Sequence, residues 1–166
     1  VERDGLHIDA EIDTAPDGDT LNATPTAIGN SIVGIADALT RLRPDLFVVY
    51  ADRFEGFAAT IAATQMGIPT AHVEGGDVTE GGALDDSVRH AMTKLSHLHF
   101  TTNEQATNRI LAMGEEAWRV NTVGFPAIDL IADGNFANPD ELIARYKLNL
   151  SRPIVLFTQH SVTTEF

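Results

Sequence analysis

Apolar, strand-like runs alternate with helix-like segments along most of the chain, and this alternation constrains the fold more than any other feature. Residues 46–51 form a continuous apolar run rich in β-branched side chains, which is typical of a buried parallel strand. A helical pattern precedes this run, from Thr24-Pro25 to Arg43-Pro44. The Thr24 hydroxyl is the expected cap at its start, and Arg43-Pro44 is the expected stop. The repeated order of strand and helix predicts an α/β fold, a Rossmann-like parallel sheet with helices on both faces.

The same alternation continues along the rest of the chain. Further strands are predicted at residues 70–73, 97–101, 119–123 and 153–158. Further helices are predicted at residues 54–66, 86–95, 104–113, 127–132 and 139–146. Asn103 is the expected cap of the helix at residues 104–113. The sequence Asp133-Gly134-Asn135 is the best candidate for a linker, so a second domain is expected to begin near residue 150.

Composition limits the partners of the protein. The chain has 166 residues and a formal net charge of −13, which disfavours nucleic acid and anionic membranes as partners. It has no cysteine, so disulfides and thiolate zinc sites are excluded. No long apolar segment and no secretory leader is visible, and a cytoplasmic location is expected.

Charged residues follow two successive predicted strands directly. Asp52 and Arg53 come after residues 46–51, and Glu74 ends the next strand. Because the carboxyl ends of neighbouring parallel strands share one edge of a sheet, Asp52 and Glu74 are expected to approach each other there. Two simpler roles stay open at this point: Asp52 as the N-cap of the following helix, and Glu74 as part of a loop bonded to the backbone by Gly75 and Gly76. The two glycines would also allow a ligand to approach the backbone closely.

A third acidic group opens a predicted helix. Asp85 and Asp86 suit the positive end of the helix dipole, and Asp86 stands three residues before Arg89, so the two side chains can pair on one face. The alternative is a well-capped surface helix with no chemical role. His90 is expected to pack or to form a hydrogen bond rather than to bind a ligand.

The histidines do not form a recognisable metal-binding pattern. His97 and His99, two residues apart in a predicted strand, and the pair of His72 and Glu74 each supply only two groups, whereas a zinc site would need a third ligand at fixed geometry. No metal site is expected. His160 follows the strand at 153–158 and would face the cleft between domains if a second domain begins there.

Several motifs together resemble the UDP-N-acetylglucosamine 2-epimerases, most closely the hydrolysing branch that serves sialic acid synthesis. The chain lacks the glycine-rich phosphate loops and the serine elbow of other large enzyme classes. The resemblance covers about residues 45–166 and lies in the motifs at residues 52–55, 72–76, 85–90, 93–97, 124–126 and 159–164.

The resemblance implies an enzyme with two Rossmann-like domains, as in the GT-B glycosyltransferases, and an active site between them. On this basis residues 1–132 are expected to form an N-terminal domain without its first strand, residues 133–150 a linker and helix, and residues 151–166 the start of a truncated second domain. The implied substrate is a UDP-sugar, the implied assembly a homodimer or homotetramer, and neither a metal nor a nicotinamide cofactor is expected. UDP would leave from C1 after loss of the C2 proton, and water would add to the resulting glycal.

The resemblance also implies roles for residues. The expected catalytic set is Asp52, Glu74, Asp85 and His160. The expected substrate contacts are Arg53, Asp86 and Arg89. Asp52 and Asp85 are interpreted as the groups that transfer protons at the sugar, with Glu74 tuning them, while the identity of the C2 base stays open.

Four alternatives to a hydrolysing UDP-N-acetylglucosamine epimerase stay open. The segment between Glu74 and Asp85 is longer than expected for the sialic-acid enzymes, which allows a UDP-2,4-diacetamido sugar as substrate. A non-hydrolysing epimerase, a GT-B glycosyltransferase and a non-catalytic binding domain are the others. Because the family's opening strand and most of its C-terminal domain are not in these 166 residues, the isolated chain is expected to be inactive.

Overall fold

The computed structural model describes residues 4–79 and 84–159. In these residues four strands form one parallel sheet in the order β1-β2-β3-β4. The strands are β1 (Phe47–Tyr50), β2 (Thr70–Val73), β3 (Leu98–Thr101) and β4 (Val120–Thr122). Each strand pairs with the next one along the chain, so the predicted fold class, a Rossmann-like parallel sheet flanked by helices, is confirmed.

The helices of the described residues lie where the sequence predicts them, within one or two residues. They are α1 (Ala23–Leu42), α2 (Phe54–Gln65), α3 (Leu84–Leu95), α4 (Glu104–Ala112), α5 (Ala127–Ala132) and α6 (Pro139–Tyr146). A short 3-10 helix, Ala117–Arg119, precedes β4. None of these helices is long and apolar enough to cross a membrane.

The ends of two helices show how local chemistry sets them. The predicted hydroxyl cap at Thr24 is wrong, because α1 begins one residue earlier, after Asn22, whose side chain makes no capping bond. At the other end Arg43 adopts a left-handed conformation and donates its N–H to the Leu39 carbonyl at 2.9 Å, which ends α1. In α4 the predicted cap is confirmed, since the Asn103 side chain accepts a hydrogen bond from the Ala106 N–H at 2.9 Å.

A hydrophobic core lies between α1 and α2. Ile35 and Leu39 of α1 pack against three alanines of α2, Ala58, Ala62 and Ala63. The small alanine side chains allow the two helices to approach closely, and each buried Ile or Leu side chain contributes roughly 1.5–3 kcal/mol. This core fixes the position of α2, the helix that directly follows the end of β1.

Two strand predictions need correction. The first strand is parallel, but it lies at the edge of the described sheet, so Val49 is buried while Val48 and Tyr50 are more than half exposed. The predicted strand at residues 153–158 is absent. No strand of the described residues pairs with this segment, and an apolar run without a hydrogen-bonding partner strand cannot form a ladder.

The chain divides into two compact units. The first extends to Gly124 and contains the sheet with α1 to α4, and the second begins at Phe125 and contains α5 and α6. Neither α5 nor α6 buries a residue completely. The domain boundaries expected at residues 132 and 150 stay predictions.

Candidate functional site

The ends of β1 and β2 carry two residues with left-handed backbone conformations. Ala51 follows β1 with φ +61°, and Glu74 follows β2 with φ +67°. Backbone hydrogen bonds extend both ladders by one residue: Ala51 N–H donates to the Val73 carbonyl at 3.0 Å, and Glu74 N–H to the Phe100 carbonyl at 2.8 Å. The side chains that follow these two strands therefore emerge at one edge of the sheet, as the sequence predicts.

Arg89 of α3 joins two of the predicted acidic residues. Its guanidinium forms an ion pair with Asp52 and a second one, at 3.1 Å, with Asp86. These side chains are only 11% exposed for Arg89, 19% for Asp52 and 15% for Asp86. The predicted pairing of Asp86 with Arg89 is confirmed, and the alternative of Asp52 as a helix cap is wrong, because Arg53 occupies the N-cap position of α2.

Arg53 is the exposed cation of this edge. It donates two hydrogen bonds to the Glu55 carboxylate, at 2.8 and 3.1 Å, and its side chain is 74% exposed. The pKa of Arg53 is raised, first by the hydrogen bond to Glu55 and then by nearby negative charge that includes Asp85 and Asp52. Asp85, exposed in the first turn of α3, therefore belongs to the same cluster of charges.

Tyr50 is a further member of the site, in addition to the residues predicted from the sequence motifs. A hydrogen bond to the Glu74 carboxylate, the partial burial of the phenol, and the negative charges of Glu74 and Asp52 raise the pKa of Tyr50 to about 12. The phenol therefore stays protonated at neutral pH and donates to Glu74. Its place at the last position of a strand, next to a residue that points to the ligand edge, is the signal that could have revealed it.

His72 lies beneath this edge and is fully buried. Its Nε2 is 2.7 Å from the Ala51 carbonyl oxygen, and its Nδ1 is 3.1 Å from the Thr93 hydroxyl on α3. Burial lowers the pKa of His72 to about 4, so the ring is neutral at pH 7. Both ring nitrogens are occupied by the protein itself, which leaves neither for a metal.

The glycine pair after Glu74 is packed closely against neighbouring protein atoms. A Cβ at Gly75 would lie 2.9 Å from both the His72 Nδ1 and the Thr93 hydroxyl. A Cβ at Gly76 would lie 2.6 Å from the carbonyl oxygen of Ala106, and Gly76 has φ +82°. The loop is thus pressed against the underlying helices.

The remaining predicted histidines contact different neighbours. His97 accepts a hydrogen bond from the Thr70 N–H at 3.1 Å, and His99 is buried 3.3 Å from Glu115. Within residues 4–79 and 84–159 no group of three or more histidine, aspartate or glutamate side chains is arranged to hold a metal ion. His160 lies outside the described residues.

Taken together, the first unit brings most of the predicted site residues to one edge of the sheet. They are Asp52, Arg53, Glu74, Asp85, Asp86 and Arg89, with Tyr50 in addition. The arrangement mixes carboxylates with two guanidinium groups and one phenol. Such a mixture can hold a polar ligand with negative charge and can move protons at a nearby carbon.

Comparison with known proteins gives relatives along most of the chain. The chain is 38% identical over 128 residues to the GDP/UDP-N,N'-diacetylbacillosamine 2-epimerase (hydrolyzing) of Campylobacter jejuni, which covers 77% of this chain and 33% of that protein. It is 34% identical over 139 residues to the UDP-N-acetylglucosamine 2-epimerase of Neisseria meningitidis serogroup B, which covers 83% of this chain and 36% of that protein. The chain therefore spans about a third of the length of these relatives.

Solved structures agree with these relatives. The crystal structure of the UDP-GlcNAc 2-epimerase from Neisseria meningitidis bound to UDP-GlcNAc matches with a TM-score of 0.63 and 27% identity, over 74% of this chain and 33% of that chain. The family described as UDP-N-acetylglucosamine 2-epimerase matches residues 1–166. The strand-end motifs, the fold and the relatives lead to one assignment: the chain belongs to the UDP-N-acetylglucosamine 2-epimerase family.

Proposed function

We propose that the complete protein is a hydrolysing UDP-N-acetylglucosamine 2-epimerase, which converts UDP-N-acetylglucosamine and water into N-acetylmannosamine and UDP. The observation that carries this proposal is the ion-paired group of Asp52, Arg89 and Asp86 at the strand ends, with Asp85 and Arg53 beside it. Membership of the epimerase family supports the reaction class. The hydrolysing relative from Campylobacter jejuni supports the outcome.

The reaction requires two changes at adjacent carbons of the sugar. A carboxylate accepts the C2 proton while the bond between C1 and the diphosphate oxygen breaks, so UDP leaves with the electron pair and a C1–C2 double bond forms. Water then adds its hydroxyl to C1, and C2 receives a proton on the opposite face. One water molecule is consumed, and the products are free sugar and UDP.

The proposed roles follow from the contacts of each side chain. Arg89 fixes the Asp52 carboxylate between β1 and α3, so that Asp52 and Asp85 can transfer protons at the sugar. Glu74, held by the Tyr50 hydroxyl, tunes these two groups. The exposed guanidinium of Arg53 is suited to contact the anionic diphosphate.

The proposed catalytic set also includes His160, which lies outside the described residues. His160 would approach the sugar or the diphosphate from a second domain. We also propose, on the family resemblance, that the complete protein is a cytoplasmic homodimer or homotetramer. Since the chain spans about a third of its relatives' length, the 166 residues alone are expected to release no UDP above background.

A second candidate substrate is a UDP-2,4-diacetamido sugar. It is favoured by the 38% identity to an enzyme named for diacetylbacillosamine and by the long segment between Glu74 and Asp85. The chemistry at C1 and C2 would be the same, and only the group at C4 would differ. A non-hydrolysing epimerase is less favoured because Asp85-Asp86 differs from the Glu-Glu expected in that branch.

One experiment separates these possibilities. The complete gene product is incubated in heavy water with UDP-N-acetylglucosamine or with a UDP-2,4-diacetamido sugar, and the products are identified by NMR and mass spectrometry. Free 2-epimerised sugar with deuterium at C2, together with UDP, is the expected result. An intact epimerised nucleotide sugar would indicate the non-hydrolysing reaction, and unchanged substrates would refute epimerase activity.

A variant tests the assignment of the site. Asp85→Asn removes one proposed proton-transfer group while keeping its size, and it is expected to lower kcat by about 100-fold, within the range for general acid–base catalysis. Asp133→Asn, in the second unit, is the matched control and should leave kcat unchanged. Equal activity of both variants would refute the catalytic role of Asp85.

A further inference from the structure

We infer that His72 is a positioning residue for the epimerase reaction, which holds the end of β1 so that the Asp52 carboxylate stays opposite Arg89. The inference rests on the proposed function for its catalytic consequence, and on the geometry beneath the site for its structural one. His72 touches neither Asp52 nor Arg89 through a hydrogen bond; it acts through the backbone of Ala51 and through α3.

The first contact fixes an unfavourable backbone conformation. Ala51 adopts φ +61°, a left-handed conformation that is unfavourable for an L-residue with a Cβ. Hydrogen bonds on both sides of the residue hold it: its N–H donates to the Val73 carbonyl at 3.0 Å, and its carbonyl accepts from the His72 Nε2 at 2.7 Å. The Ala51 carbonyl belongs to the peptide bond that leads into Asp52, so the direction of that peptide sets the direction of the Asp52 side chain.

The second contact connects the same imidazole to α3. The Thr93 hydroxyl, fully buried, donates to the His72 Nδ1 at 3.1 Å. Thr93 lies one helical turn after Arg89 on α3. His72 therefore joins the two elements that supply the partners of the ion pair between Asp52 and Arg89.

The protonation state of the ring agrees with both contacts. Burial lowers the pKa of His72 to about 4 against the opposing effect of the hydrogen bond to the Ala51 carbonyl; the neighbouring His99 and Arg89 act in the same direction as burial, and Asp52 opposes them. A neutral ring carries one N–H. Because the Ala51 carbonyl can only accept, that hydrogen is on Nε2, and Nδ1 is the acceptor from Thr93.

Three variants of the complete gene product test the inference. His72→Leu removes both hydrogen bonds. His72→Gln keeps an amide N–H that can reach the Ala51 carbonyl. His99→Leu is the matched control, since His99 is another fully buried histidine, paired in register with His72 on the neighbouring strand, but its hydrogen bond goes to Glu115.

The kinetic result should separate positioning from simple stability. His72→Leu is expected to lower kcat by about 100-fold with KM changed by less than about threefold, because a misplaced catalytic group can cost that much. His72→Gln should recover at least about tenfold of the loss. His99→Leu should lower the melting temperature about as much as His72→Leu does, but keep kcat within about threefold of the wild-type value. Similar kcat losses in His72→Leu and His99→Leu, or no recovery in His72→Gln, would overturn the inference.

A structural measurement decides the matter without any substrate. Crystal structures of the three variants are expected to show Asp52 separated from Arg89 in His72→Leu and in place in the other two. An unmoved Asp52 in His72→Leu would overturn the inference even in an active epimerase, whereas failure of the proposed function would appear as an inactive wild-type protein. If His72→Leu does not fold, Thr93→Val removes only the bond to Nδ1 and should give a smaller loss of kcat, about tenfold, and the same direction of movement; an unmoved Asp52 in Thr93→Val would then overturn the inference.

Discussion

Two residues at the strand ends, beside the charged side chains of the site, have strained backbone conformations. Ala51 and Glu74 both have positive φ, although neither is a glycine. Such conformations persist only where surrounding bonds hold them, and they concentrate at functional sites. The strain at Ala51 is therefore a measurable property of this site.

Replacing Ala51 with glycine is expected to stabilise the protein. Glycine adopts φ +61° without steric conflict, and the gain should exceed the entropy that glycine adds to the unfolded chain, leaving a net increase of about 0.5 kcal/mol in the free energy of unfolding. Urea denaturation of Ala51→Gly gives this value. Ala59→Gly, in the middle of α2, is the control and should destabilise by about 1 kcal/mol; a similar loss in both variants would contradict the prediction.

The buried His72 makes stability depend on pH. Its pKa is lowered from 6.5 to about 4 in the folded protein, so the unfolded state binds the extra proton first as the pH falls. The stability that the neutral His72 ring contributes to the folded state is complete above pH 6.5 and is lost as the pH falls from 6.5 to about 4. The pKa of His99 is also lowered, mainly by burial, and acts in the same direction.

The lowered pKa of His72 is expected to reduce the free energy of unfolding by about 2 kcal/mol between pH 7 and pH 5. Denaturation of the wild type and of His72→Gln at both pH values measures it, since glutamine cannot titrate. The variant should lose about 2 kcal/mol less than the wild type over this interval. Parallel losses in the two proteins would show that His72 titrates normally in the fold.

The residues of the site could be predicted only as far as backbone topology reaches. Asp52 and Glu74 follow neighbouring strands, so a parallel sheet alone brings them to one edge. The last position of a strand marks Tyr50 as a candidate, but its bond to Glu74 could not be predicted, because it depends on which side chain meets which in three dimensions. The same holds for the contacts that His72 makes with Ala51 and Thr93.

At the scale of elements, a capping side chain defines the start of α4 but not that of α1. Asn103 accepts a hydrogen bond from the Ala106 N–H, whereas Asn22 makes no such bond. Asn103→Ala should therefore destabilise the protein by about 1 kcal/mol, and Asn22→Ala by much less. Thermal unfolding of both variants compares the two directly, and equal shifts of the melting temperature would argue against the capping role.

The elements themselves were predictable where local signals and tertiary pairing agree. β2 was predicted with its observed bounds, and α4 began at its predicted cap. The segment at residues 153–158 shows the limit: its apolar, β-branched composition favours a strand, but a strand forms only with a partner. Composition cannot report whether that partner is present.

The two units of the chain differ in how many of their residues are buried. The first unit contains the sheet and its core, while α5 and α6 bury no residue completely. Segments with little buried surface open more often and are cut first by proteases. The chain of 166 residues is therefore expected to lose its second unit first.

Limited digestion with chymotrypsin provides the measurement. The first cuts should fall after exposed aromatic residues of the second unit, Phe136, Tyr146 and Phe157, and leave a resistant product that retains the first unit. Mass spectrometry of the early products identifies the sites. Trp118 is the internal control, since it is just as exposed but lies in the first unit, and early cleavage there would contradict the prediction.

The glycine pair has a consequence for recognising inactive members of such a family. Gly75 and Gly76 are required because any side chain would collide with His72, Thr93 or the Ala106 carbonyl, and none of these contacts involves a substrate. A pseudoenzyme that had lost every acidic group of the site would still need both glycines to fold. The two glycines therefore mark the fold and not catalytic activity. A survey that used them to infer turnover would count inactive proteins as active enzymes.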